Sequence, residues 1–170
     1  MPPLPADSIH ARACKLKCEK ILTRPSEVET FGIDESWIEL TGSPLLKERT
    51  PHEIADEIRN TVKSEVGLTV SIGISFNKIF AKLGSDMKKP DAVTEIGRDT
   101  FRDQVWPLPV SDLLYVGRAT AEKLGRYCIR TIGDLANTER DILRSLLGIN
   151  GEKIWAYANG LDASRVMPCD

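Results

Sequence analysis

Ile54, Ile58, Val62 and Val66 recur every fourth residue behind Thr50-Pro51-His52-Glu53. That spacing predicts an amphipathic helix. Thr50 suits the cap, Pro51 the first helical position, and Glu53 completes a capping box. Gly67 ends the stripe. Leu68 to Ile74 then alternates large with small or polar residues, as a strand does. Ile79, Phe80, Leu83 and Met87 predict a second helix over 76–87, closed by Lys89-Pro90, with a short strand at 92–96. Ahead of these, short strands are expected at 28–32 and 36–41, broken by Gly42-Ser43-Pro44. A helix is expected over 8–23, capped by Asp7 or Ser8, carrying Leu16 and Leu22, and ended by Pro25. Strands mixed with helices predict an α+β layer: an antiparallel or mixed sheet with helices packed on one face.

Trp106-Pro107-Leu108-Pro109 reads as a linker, and helical segments follow near 111–114, 118–127, 131–136, 139–147 and 151–159. Two domains are expected: 1–105, holding the sheet, and 106–170, small and all-α. A chain of 170 residues that is 41% hydrophobic can build real cores.

The net charge of −2 does not mark the whole chain as a binder of nucleic acid. Local balance differs. Residues 71–90 hold Lys78, Lys82, Lys88 and Lys89 against Asp86, and residues 115–130 hold Arg118, Lys123, Arg126 and Arg130 against Glu122. Each segment nets 4 − 1 = +3. Cys14, Cys18, Cys128 and Cys169 with His10 and His52 lack zinc-ligand spacing, which leaves reduced thiols as their reading. An apolar run near 18 residues and a signal h-region are both missing, so a cytoplasmic protein with no membrane partner is expected.

Candidate chemistry begins with Asp34 and Glu35 in "FGIDESWIELTG". Neighbours in a straight strand point to opposite faces, so two converging carboxylates require a turn, which Gly32 permits. Their repulsion is relieved by a cation, and hard oxygens with open water positions suit Mg²⁺. Two such ions form the metal pair of phosphoryl-transfer sites. Alone, an Asp-Glu pair in a turn is ordinary solvated surface. "SFNKIFAKLGSDMKKP" changes the weighting: Lys78, Lys82, Ser85 and Lys89 fall at i, i+4, i+7 and i+11, one polar helix line that suits a polyphosphate beside metals. "LLYVGRATAEKL" has the form of a helix-hairpin-helix element, in which Gly117, Arg118, Thr120 and Lys123 would hold DNA phosphates without reading bases.

Taken in order, "FGIDESWIELTGS", "GLTVSIGISFNKIFAKLGSDMKKPD" and "LLYVGRATAEKLGRYCIRTIGDLA" resemble the Y-family DNA polymerases, the translesion enzymes of DNA repair, over about 8–165. The resemblance implies that Asp34 and Glu35 are catalytic palm carboxylates holding two Mg²⁺ ions. It implies that Lys89 contacts the triphosphate of a dNTP, supported by Asn77, Lys78 and Lys82. It also makes 117–123 the thumb hairpin along primer-template DNA, so that 1–105 is a partial palm and 106–170 a thumb. A sliding clamp is expected only for a full-length parent. The chain departs from the family in three ways. It lacks an N-terminal palm strand bearing a further metal-binding Asp, since Asp7 lies in "PADSIHAR"; it lacks fingers; and it lacks a C-terminal DNA-grasping domain. A fragment inactive on its own is therefore expected, with a sheet edge left open by the missing strand. Tyr115 and Cys128 stand where many relatives have Gly, and Pro90-Asp91-Ala92 where many have Pro-Asn-Gly. The alternative is a non-catalytic DNA-binding module acting through the helical half. A metal-dependent nucleotide cyclase explains the acidic pair but not the hairpin.

Overall fold

The computed structural model describes residues 28–167 and the backbone of residues 8–11. They divide into two compact units: one ends at Ile96 and takes back residues 163–167, and the other is Gly97–Asp162.

The first unit is an α+β layer built on one mixed sheet. Its strands are β1 (Ser8–Ala11), β2 (Val28–Phe31), β3 (Glu35–Glu39), β4 (Ile72–Ser75) and β5 (Val93–Ile96), in the order β2-β3-β1-β4-β5. Only β4 and β5 run parallel, joined through helix α2 (Lys78–Met87). Helix α1 (Pro51–Val66) joins β3 to β4.

Two expectations give way here. Ser8–Ala11 is a strand antiparallel to both β3 and β4, not the start of a helix. A slot with unpaired backbone groups on both sides outweighs a local helical preference. The edge expected to stay open is thus filled, and the outer strands are β2 and β5. The rest of the expected 8–23 helix, with Asp7, Cys14, Cys18 and Cys169, lies outside the described residues. Nor do the helices share a face. Along β4, Ile72 and Ile74 join Ile54, Ile58 and Val62 of α1 in one core, together with Val28, Ile38 and Leu40. The residue between them, Gly73, lies against α2 on the opposite face, where an added Cβ would stand 1.9 Å from the Ala81 carbonyl oxygen. Period-two alternation gives β4 two buried faces, and each takes a helix.

Local chemistry sets the helix ends. Thr50 Oγ1 accepts from Glu53 N–H at 3.2 Å, and the Glu53 carboxylate accepts from Thr50 N–H at 2.7 Å. Gly67 closes α1 in the left-handed region at φ 73°. Val66, the fourth member of the stripe, is 40% exposed, because the helix runs past its core partners there. Asn77 caps α2 by accepting from Phe80 N–H at 2.8 Å.

The second unit holds α3 (Phe101–Val105), α4 (Arg118–Gly125), α5 (Ile132–Asn137), α6 (Arg140–Leu147) and α7 (Ile149–Ala158), with a 3₁₀ turn at Val110–Asp112. Leu113, Leu124, Ile132, Leu135, Leu143 and Ile154 fill its core. Trp106 ties its helices together: its indole N–H donates to Ala158 O at 3.1 Å, and its carbonyl accepts from Gly133 N–H at 2.9 Å. Phe101 of α3 meets the Trp106 ring edge to face at 6.4 Å. A boundary at 105/106 would cut through this contact, so α3 goes with the helical unit.

Candidate active site

The β2–β3 hairpin positions the acidic pair. Phe31 pairs with Glu35, so Gly32, Ile33 and Asp34 form the connecting turn, with Gly32 at φ 74°. Asp34 is exposed in that turn and Glu35 opens β3. The register also sets Glu29 opposite Trp37. Paired and alternate residues share a face, so Glu29, Phe31, Glu35 and Trp37 all lie on one side of the hairpin.

That side is the one covered by α2. Lys82 Nζ lies 3.1 Å from Glu35 Oε1 and 2.6 Å from Asp86 Oδ2. Lys89 pairs with the other oxygen of Asp86. Burial alone would raise the Asp86 carboxyl, but hydrogen bonds from Lys82 and Lys89 outweigh it and hold it below its ordinary value. Lys78 is almost buried at 8% exposure. Its ammonium lies 2.7 Å from both oxygens of Glu29 and 4.4 Å above the Trp37 ring. The Trp37 indole donates back to Lys78 O at 3.0 Å, and the Phe31 ring packs tilted against Trp37 at 4.6 Å between centroids. Residues 165–167 complete the corner: Arg165 O accepts from Lys78 Nζ at 3.4 Å and Met167 N–H donates to Glu29 at 2.7 Å.

The lysine line and Glu35 therefore meet on one face of the sheet, whereas Asp34 stands in the turn beside it. Lys78, Lys82 and Lys89 each have a carboxylate partner. The sequence reading missed Glu29, Trp37 and Asp86. The hairpin register was the available signal: a three-residue turn after Phe31 puts Glu29 and Trp37 on the Glu35 face. As to a cation, Glu35 offers a hard oxygen donor whose neighbour at 3.1 Å is already a positive charge, the Lys82 ammonium. Among the described residues, no group of three or more His, Cys, Asp or Glu side chains is placed to hold a metal ion.

In the second unit, Val116 N–H donates to Leu113 O at 3.0 Å, closing a turn with Tyr115 at φ 70°. Gly117 then caps α4. The helix expected at 111–114 is only the 3₁₀ turn Val110–Asp112. Arg118 has a side chain 94% exposed and paired with Glu122, and Thr120 is half-buried. Lys123 donates to Leu146 O at 2.6 Å, covering a free carbonyl at the end of α6. Cys128 sits at φ 63° where Ile129 N–H reaches back to Leu124 O, the left-handed closure of a helix end.

The fold is shared with a solved structure: the chain is similar to the crystal structure of DinB from Sulfolobus solfataricus, with a TM-score of 0.76 at 20% identity over 91% of this chain and 47% of that one. Sequence comparison is more specific. Residues 3–86 match the impB/mucB/samB family (IMS). The chain is 51% identical over 143 residues to DNA polymerase IV of Acetivibrio thermocellus, covering 84% of this chain and 36% of that protein. It is 42% identical over 141 residues to DNA polymerase IV 1 of Bacillus subtilis, covering 83% and 34%. The chain belongs to the impB/mucB/samB family, the Y-family domain. It spans about a third of the length of these curated relatives.

Proposed function

We propose that this chain supplies part of a translesion DNA polymerase, a magnesium-dependent nucleotidyltransferase of DNA repair in the cytoplasm. The observation that carries this reading is Glu35 turned onto the lysine-bearing face of α2, with Lys82 Nζ at 3.1 Å. The first unit acts as palm and the second as thumb. Asp34 and Glu35 offer carboxylate oxygens at the palm. Bound there, Mg²⁺ ions would neutralise nucleotide oxygens and favour attack of a primer 3′-hydroxyl on the α-phosphate of a dNTP. Lys89, just past the end of α2, exchanges Asp86 for triphosphate oxygens, with Lys82 and Lys78 behind it. In the second unit Gly117, Arg118, Thr120 and Lys123 follow the primer-template backbone, a weak, salt-dependent grip. The 170-residue chain by itself does not extend primers, because two carboxylates supply only part of a two-metal site. A sliding clamp would engage the longer protein.

The test is a graft. This chain replaces the matching third of the Acetivibrio thermocellus relative, and primer extension is followed with Mg²⁺ and dNTPs. Extension should persist, and Asp34→Ala or Glu35→Ala in the graft should lower it about a hundredfold or more. Undiminished extension by both variants would overturn the assignment. It would favour the second reading, a non-catalytic DNA-binding module, for which the exposed Arg118 beside Gly117 speaks.

A further inference from the structure

We propose that Tyr115 and one face of α7 form a stacking site for an unpaired base of single-stranded DNA, with Lys153 placed to take that nucleotide's phosphate. A backbone grip at 117–123 holds no base. This site adds a hold on the base itself, and it rests on the reading of the second unit as a DNA-binding thumb.

Tyr115 is unusual in two ways. Its backbone lies in the left-handed region at φ 70°, an outlier for a residue with a large ring. Its ring is nevertheless 56% exposed, while the core closes on its neighbours Leu113 and Val116. Core packing therefore does not account for the angle. Strained residues that the surrounding structure holds in place cluster at ligand sites.

The surroundings of the ring suit a flat ligand. Asn150, Lys153, Ile154 and Tyr157 fall at i, i+3, i+4 and i+7 along α7, one helix face. Tyr115, Asn150, Lys153 and Ile154 line a cleft of about 180 Å³. A drug-sized ligand needs roughly 300 Å³ or more, so this cleft has the scale of a single ring system. Tyr157 backs Tyr115, the two ring centroids lying 5.9 Å apart with the planes tilted by 32°. The Lys153 ammonium rests 4.9 Å over Tyr115 and 5.8 Å over Tyr157. An exposed ammonium is held only weakly by such rings, and a base that stacks is held more strongly. The base takes the ring face, and the ammonium moves from the ring to the phosphate of the same nucleotide. The exposed Asn150 carries both a donor and an acceptor, so it suits any base edge. Bases inside a duplex are closed to this contact, which makes an unpaired nucleotide the occupant. Gly117 and Arg118 follow Tyr115 directly, so the stacked nucleotide leads into the backbone grip.

The probes are two end-labelled strands of equal length: oligothymidylate, and the same sugar-phosphate chain with abasic sites in place of the thymidines. Binding to the 170-residue chain is read by fluorescence anisotropy at fixed salt, with folding checked by circular dichroism. The native chain should bind the thymidylate about tenfold more tightly than the abasic strand. Tyr115→Gly, which relieves the backbone angle, should erase that preference, and Tyr115→Phe should keep it. Lys153→Met should weaken binding of both strands alike and flatten its salt dependence. Equal affinity of the native chain for the two strands, or a preference that survives Tyr115→Gly, overturns the stacking site. Unchanged affinities in Lys153→Met overturn the phosphate role of the lysine. A labelled duplex separates this from the thumb reading: duplex binding without any base preference sinks the stacking site alone, and failure to bind all three probes sinks both.

Discussion

Lys78 and Trp37 hold each other twice. The indole N–H of Trp37 donates to the Lys78 carbonyl at 3.0 Å, and the Lys78 ammonium lies 4.4 Å above the same ring. One contact fixes the start of α2 over β3, and the other bends the lysine back onto Glu29 at 2.7 Å. Removing one partner of such a sheltered pair leaves an uncompensated charge, so Glu29→Gln should destabilise the chain by about 3 kcal/mol. Glu29→Gln with Lys78→Met should cost less than the sum of the two single changes. Urea unfolding followed by tryptophan fluorescence checks both. A cost for Glu29→Gln near zero would mean that the pair is too well solvated to matter.

Gly73 and α2 offer a steric test. A Cβ at Gly73 would stand 1.9 Å from Ala81 O and 2.5 Å from Ser85 N, both backbone atoms of the helix. Backbone cannot step aside as a flexible side chain can, so Gly73→Ala must lift α2 from the sheet. Overpacking of this kind costs about 1–3 kcal/mol. Gly125, at the end of α4, has open space around its Cβ position, and Gly125→Ala should be neutral or stabilising by up to about 1 kcal/mol. Thermal melts should therefore fall for Gly73→Ala and hold or rise for Gly125→Ala. In Gly73→Ala the Lys82–Glu35 distance should also lengthen, measurable in a crystal structure of the variant.

The helices with strong local codes were legible before any coordinates. Thr50, Pro51 and Glu53 announce α1, because that box is closed within four residues. What stayed illegible depends on distant chain. Ser8–Ala11 becomes a strand through two neighbours, β3 and β4, that its own residues do not encode. The division of α1 and α2 between two faces hangs on Gly73, whose meaning emerges only once α2 lies against it. In the candidate site, the lysine line is visible from its spacing. Its direction is not, because Glu29 and Trp37, 49 and 41 residues from Lys78, decide where it points.

Cys128 and Tyr115 carry side chains at backbone angles that favour glycine, φ 63° and 70°. Left-handed backbone costs a residue with a Cβ about 1–2 kcal/mol, and part of that returns when glycine loosens the unfolded chain. Cys128 is exposed, so Cys128→Gly should raise stability by up to about 1 kcal/mol. Tyr115 differs. Its ring meets Tyr157 at 5.9 Å and lies under the Lys153 ammonium at 4.9 Å. Tyr115→Gly gains the backbone relief and loses these contacts, worth about 0.5–1.5 kcal/mol, so it should come out near neutral. Denaturant midpoints compare the two. A stabilisation by Tyr115→Gly equal to that by Cys128→Gly would show that the Tyr115–Tyr157 contact contributes nothing.

Asp91 predicts how the first unit responds to acid. Hydrogen bonds from Lys63 at 2.6 Å and Arg59 at 2.9 Å, both from α1, hold its carboxyl below the ordinary value. A carboxyl with a lower pKa folded than unfolded binds fewer protons in the native state, so stability rises with pH across the gap. Its contribution is complete above the unfolded aspartate value of about 3.9 and fades as pH falls through the folded one. Asp86, held low by Lys82 and Lys89, adds to the slope with the same sign. Asp91→Asn should lower stability at neutral pH and flatten the loss of stability below about pH 4. Urea midpoints from pH 6 downward for the native chain and Asp91→Asn measure the difference. Parallel curves over the whole range would mean that the Arg59–Asp91–Lys63 cluster persists in the unfolded chain or does not form in the folded one.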